Sequence, residues 1–155
     1  SNSSLNHLIE EKRNIDHETD SSLNAYKFDE TIISLENLED FTNHTSFRND
    51  SVSHKQFINL QKMFTKSMRY EVIDLHHEKS TLSGLNALND FFDKCFGKIT
   101  HLKIIHGKGN HSRNNFSPMR SMVRKFLLNT SIVLAFCEAE LKDGGNGATY
   151  VLIKK

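Results

Sequence analysis

Between Arg69 and Lys155 the spacing of apolar residues switches repeatedly between two periods, and that alternation leaves few folds open to the chain. Tyr70-Glu71-Val72-Ile73-Asp74-Leu75-His76 has a period of two: Ile73 and Leu75 face a core, while Asp74 and His76 share the opposite side of the strand. From Ser80 to Phe96, Leu85, Leu88, Phe92, Cys95 and Phe96 recur at steps of three and four, which predicts an amphipathic helix stopped at Gly97. His101–His106 reads as a second strand. Ser117 and Pro118 open a second helix that runs to about Leu128, with Met119, Met122, Val123, Phe126 and Leu127 inward and Arg120, Arg124 and Lys125 mostly outward. Ile132–Cys137 and Ala148–Ile153 are apolar on both faces, as well-covered strands are. The predicted order is β-α-β-α-β-β, an α/β two-layer sandwich on a four-stranded mixed sheet.

Residues 1–68 are different in kind. Ser, Asn, Asp, Glu and Thr dominate the first 50, and apolar residues are too sparse for an independent core. This stretch is expected to be a mostly irregular, acidic N-terminal arm with short helices, ahead of a domain at 69–155. Leu35, Leu38 and Phe41 lie near helical spacing, as a docking helix for a protein partner or as a patch that folds back on the domain. Phe57, Leu60, Phe64 and Met68 suggest a short helix at the domain's edge. Up to Met68 there are 7 Lys and Arg against 11 Asp and Glu; from Arg69 onward there are 13 against 8. The second part is therefore the one suited to a polyanion. With no apolar run near the roughly 20 residues of a membrane helix and no leader pattern, a cytoplasmic protein is expected. Cys95 and Cys137 sit inside apolar patterns and read as buried free thiols.

In open α/β sheets ligands collect outside the carboxyl ends of parallel strands. That rim would hold Asp74, His76, His106 and the loop Gly107-Lys108-Gly109-Asn110-His111-Ser112-Arg113. Gly107 and Gly109 allow close approach of an anion to the backbone, Lys108 and Arg113 supply charge, and His106 supplies a titratable ring. The plainer alternative for the loop is a glycine-softened turn with solvated charges. A second glycine-rich segment, Asp143-Gly144-Gly145-Asn146-Gly147, is longer than a minimal hairpin needs. At about 3.3 Å per residue, the Cα atoms of Asp74 and His76 would lie roughly 6.6 Å apart, so both side chains can reach one ligand.

Ile73-Asp74-Leu75-His76, Ile105-His106-Gly107-Lys108-Gly109 and Gly144-Gly145-Asn146-Gly147-Ala148-Thr149-Tyr150-Val151-Leu152 resemble, in order and spacing, the three signatures of the Smr (small MutS-related) domain, and in particular its stand-alone bacterial form. The resemblance covers about Arg69 to Lys155. It implies the same β-α-β-α-β-β fold, similar to the C-terminal domain of translation initiation factor three, and an endonuclease acting on RNA or DNA, in some members on messages at stalled ribosomes. It also implies that Asp74 and His76 are catalytic and that His106, Gly107, Lys108 and Gly109 meet nucleic acid or phosphate. Where the first signature usually continues with glycine or arginine, this chain has His77. Together with Arg113, Arg120, Gly144 and Gly145, His77 completes the expected contact set.

The chemistry at such a rim suits phosphodiester cleavage. No cluster of acidic residues offers a cage for two metal ions, but two histidines, His76 and His106, can divide the roles of base and acid while Asp74 orients a ring and Lys108 meets developing charge. The 2′-hydroxyl of RNA could then be the nucleophile and no cofactor is required; an alternative is one magnesium or manganese ion on Asp74 with Glu78 or Asp143. Two function classes follow: an endonuclease of RNA or structured DNA, or a module that binds RNA, DNA or the ribosome through the same basic rim without cleaving.

Overall fold

The structure, a computed structural model, describes residues 33–109 and 116–155. Within them the expected β-α-β-α-β-β order is present, preceded by one further strand and one further helix. In chain order the elements are β1 (Phe47–Arg48), α1 (His54–Gln61), β2 (Glu71–Asp74), α2 (Thr81–Cys95), β3 (His101–Ile105), α3 (Pro118–Leu128), β4 (Val133–Glu138) and β5 (Ala148–Ile153). Each helix begins at a serine that satisfies otherwise orphaned N–H groups. Ser53 and Gln56 form a reciprocal capping box on α1, Ser80 and Ser83 do the same on α2, and the Ser117 hydroxyl accepts from the Arg120 N–H with Pro118 in the first turn of α3. None of these helices is long and apolar enough to cross a membrane.

The sheet order is β1-β4-β5-β3-β2. β2 and β3 are parallel and joined by the α2 crossover, whereas β5 runs antiparallel between β3 and β4. The carboxyl ends of β2, β3 and β4 and the start of β5 therefore share one rim. β5 is the central strand, and all six of its residues are buried, as its two-sided apolar sequence requires.

One sheet face packs Leu102, Ile104, Phe136, Val151 and Ile153 against α2 and α3, where Phe92 and Phe126 meet edge to face with centroids 4.9 Å apart. The helices approach closely at Gly84, where a Cβ would lie 2.5 Å from the Met119 sulfur. The other face, with Ala135, Cys137, Tyr150 and Leu152, is covered by Leu60 and Met63 and flanked by Phe57, Met68 and Tyr70. Cys95 and Cys137 are buried free thiols, and burial, reinforced by Glu138 and Glu140, pushes Cys137 up to about 12.

The residues expected as an arm thus complete the fold. β1 pairs with β4 and makes a fifth strand beside the expected four, and α1 covers the sheet face that α2 and α3 leave open. Farther upstream, Ile33, Leu38 and Phe41 fold back and are buried in the core beside α3. Thr31 and Ile32, the start of that apolar stretch, lie outside the described residues. The fold-back also alters α3. Arg120 and Arg124, expected to point outward, are 6% and 2% exposed, because neighbouring segments cover that side of the helix and supply partners. Arg124 donates to the Thr42 carbonyl and to Glu138, and burial lowers its guanidinium to about 10.

Candidate active site

β2 ends at Asp74, and Leu75 remains tied to the neighbouring strand by its N–H, which donates to the Ile105 carbonyl at 2.7 Å. Leu75 is fully buried and anchors the turn that follows. The Asp74 carboxylate accepts the His76 backbone N–H at 3.0 Å, and the same oxygen bonds to the His76 ring Nδ1. A carboxylate can only accept, so Nδ1 is the donor, and in the neutral ring Nε2 is the nitrogen with the lone pair. Partial burial pushes the Asp74 carboxyl upward, but the hydrogen bonds from His76 and the charges of His76 and His77 outweigh it and hold the group below the usual carboxylate range. Both side chains remain about two-fifths exposed, so the ring is oriented and open to solvent. The His77 ring lies against it, with centroids 3.6 Å apart.

His106 ends up in a different place from the one expected. It is 3% exposed, its Nδ1–H donates to its neighbour Gly107's carbonyl at 3.0 Å, and its Nε2 accepts from the Thr149 hydroxyl at 2.8 Å. Burial lowers the ring to about 4, opposed in part by the Gly107 bond and assisted by the charges of Arg124 and Arg120. A buried neutral ring with both nitrogens engaged is not placed for acid–base work at the surface. What it does is fasten the glycine loop to the sheet, alongside the His106 and Gly107 N–H groups that both donate to the Gly147 carbonyl.

That loop is shaped for close approach. Gly107 has φ +87° and Gly109 φ +72°, and a Cβ on Gly107 would come 3.5 Å from the His76 Cβ, so the loop passes directly beside the Asp74–His76 pair. Lys108 is exposed at its tip. Arg120, expected as a phosphate contact, is spent internally: it donates to the carbonyl of Lys108 at 3.2 Å and of Asn146 at 3.5 Å, tying the two glycine loops together. In the second loop Gly144 is exposed and Gly145 is buried, both at positive φ. Asp143 anchors this loop by accepting from Lys103 at 2.7 Å and from the Tyr150 hydroxyl at 2.5 Å; burial, together with the bond to Asp143, raises the tyrosine well above its usual range. Those bonds leave Asp143 poorly suited to the alternative role of metal ligand beside Asp74. Arg113 and His111 lie outside the described residues.

The rim therefore brings together Asp74, His76, His77, Gly107, Lys108 and Gly109, with Gly144 and Gly145 on the neighbouring loop. His106, Arg120, Thr149 and Asp143 form the scaffold beneath. Thr149, Lys103 and Tyr150 escape a reading of the sequence for chemistry, since a threonine and a tyrosine in an apolar strand look like ordinary packing. The signal for Thr149 is its alternation with Val151 and Ile153, which turns it to the same sheet face as His106.

Comparison with known proteins identifies the family. The Smr domain pattern matches residues 73–154. A curated relative from Escherichia coli, named probable DNA endonuclease SmrA, is 37% identical over 57 residues, which are 37% of this chain and 30% of the relative, so the match spans under a third of that protein. Among solved structures, YdaL, a stand-alone small MutS-related protein from Escherichia coli, superposes with a TM-score of 0.60 at 24% identity, covering 90% of this chain and 95% of that one. The Smr domain of Thermus thermophilus MutS2 gives a TM-score of 0.48 at 22% identity, covering 55% and 99%. With the family pattern matched over more than half of its length, the chain belongs to the Smr domain family.

Proposed function

We propose that the chain is an endonuclease that cleaves RNA by activating the 2′-hydroxyl. The observation that carries this reading is the exposed imidazole of His76, held in one tautomer by Asp74 and bordered by a glycine loop bearing Lys108. His76 Nε2 removes the proton from the 2′-hydroxyl, the 2′-oxygen bonds to phosphorus, the P–O5′ bond breaks, and the departing 5′-oxygen takes a proton from water. The products are a 2′,3′-cyclic phosphate and a 5′-hydroxyl. Lys108 balances charge on the non-bridging oxygens, and Asp74 stabilises the imidazolium as it forms. His106 is a positioning residue that holds the loop. Messages carried by ribosomes are one RNA substrate consistent with this chemistry.

The name of the SmrA relative favours a second reading, in which the same His76 activates water against DNA. End-labelled RNA with one deoxyribose at the cut site separates the two. Loss of cleavage at that bond, with a cyclic phosphate on the all-ribose strand, supports attack by the 2′-hydroxyl; cleavage of the substituted bond supports hydrolysis. Asp74→Asn and His76→Ala are expected to slow cleavage by about 10²–10⁴-fold while leaving the fold intact, since both side chains lie outside the core. Full activity in both variants would remove the catalytic assignment, and tight binding without cleavage of any strand would favour a binding module.

A further inference from the structure

The turn after β2 carries more donor chemistry than proton transfer uses. Among the described residues, three metal-ligating side chains come together at one place: Asp74, His76 and His77, each with one ligand atom within 4.8 Å of the others, and all exposed. The turn is fixed before any ligand arrives. The His76 N–H is bound to the Asp74 side chain, the Glu78 N–H donates to the Leu75 carbonyl at 3.0 Å, and buried Leu75 pins the segment to the sheet. The two imidazole centroids lie 3.6 Å apart, and each ring offers one nitrogen within 4.8 Å of the other donors beside the carboxylate.

We propose that Asp74, His76 and His77 form a binding site for a divalent transition ion of the zinc class, and that occupancy withdraws His76 from proton transfer. Two imidazoles and one carboxylate are the borderline nitrogen–oxygen set that suits zinc, cobalt or nickel; magnesium prefers an all-oxygen shell and keeps its waters. With metal–ligand bonds of about 2.0–2.1 Å in a tetrahedron, donors sit roughly 3.4 Å apart, so the present separations close by little more than an ångström of side-chain rotation. Three protein ligands leave a fourth position for water or for a phosphate oxygen. A ring nitrogen that binds the ion no longer holds a lone pair for a proton, and the carboxylate that orients the ring is drawn to the metal. The ion is therefore an inhibitor of the cleavage proposed above. His77 supplies the third ligand.

The metal-binding part is tested without nucleic acid, so it stands or falls separately from the nuclease reading. Cobalt(II) titrated into the metal-stripped full chain is expected to give the d–d absorption of a low-coordinate nitrogen–oxygen site, abolished by zinc and unaffected by excess magnesium. His77→Ala and Asp74→Asn should each weaken cobalt binding by at least about tenfold, since loss of a direct ligand costs no less than loss of an outer partner; circular dichroism verifies that both variants fold. Absence of the bands, or unchanged affinity in folded His77→Ala, overturns the site. The inhibitory part rests on the proposed nuclease activity and is read as the ratio of cleavage rates in chelator and in zinc. That ratio should be large in the unmodified chain and fall toward one in His77→Ala; a ratio of one in the unmodified chain, under conditions where cobalt binds, overturns the inhibition alone.

Discussion

His106 gives the fold a proton-linked weakness whose size follows from its surroundings. The buried ring is held neutral, lowered from 6.5 to about 4 by burial and by the charges of Arg124 and Arg120. Because the folded value lies below the unfolded one, the unfolded chain takes up the proton first. The contribution of the neutral ring is fully present above pH 6.5 and is lost as the pH falls from there toward about 4. A drop of that size corresponds to about 3 kcal/mol, at about 1.4 kcal/mol for each tenfold change in proton affinity. Protonation also leaves Nε2 unable to accept from Thr149, so the glycine loop loosens in the same step. The assay is urea unfolding of the full chain at a series of pH values between 7 and 4, beside His106→Asn. The variant should be less stable at neutral pH but should lose less stability on acidification, its slope smaller by close to one proton. Other groups, including His44, His101 and Asp74, titrate equally in both proteins, so the difference isolates one ring. Identical slopes in the two proteins would refute the assignment of a buried neutral His106.

Two further substitutions probe the rim. Lys108→Ala should weaken nucleic-acid binding across sequences and reduce the slope of log affinity against log salt by about 1, as loss of one phosphate contact does; an unchanged slope in a binding titration moves the contact elsewhere. Arg120→Met keeps the bulk but removes the donors to Lys108 and Asn146, so amide exchange in residues 107–109 and 144–147 should quicken while α3 stays protected; uniform exchange throughout the chain would mean that Arg120 holds the whole fold and not the two loops.

The alternation of periods carried most of the architecture. β5 and α3 lie where the apolar pattern puts them, and the two-sided burial of β4 and β5 follows from their composition. The same burial implied a cover on each face, and the pattern of Phe57 and Leu60 was that cover. β1 was not legible, because two residues are too short for any period to register. The proximity of Asp74 and His76 followed from alternation along β2, although a turn and not a continued strand brings them together. His106 was misplaced for a reason the sequence itself held: it alternates with Leu102 and Ile104, both buried on the same face, and so belonged inside. Arg120 and Arg124 were lost to the usual rule that charge faces water, which fails when carbonyls from distant segments arrive to receive it.

The helix that lies across the second face of the sheet also limits how much of a nucleic acid the described residues could touch. Sheet-platform binders spread bases over an open face; here α1 occupies one face and α2 and α3 the other, leaving strand ends as the open part of the sheet among the described residues. The ends of β2, β3 and β5 are neighbours, and two spacings of about 4.8 Å give a line of contact roughly 10 Å long. A strand crossing it presents one phosphate and its immediate neighbours. For the proposed nuclease such a footprint leaves no room to read a sequence, and the choice of cleavage site would pass to whatever bends or unpairs the strand enough to bring that phosphate over His76.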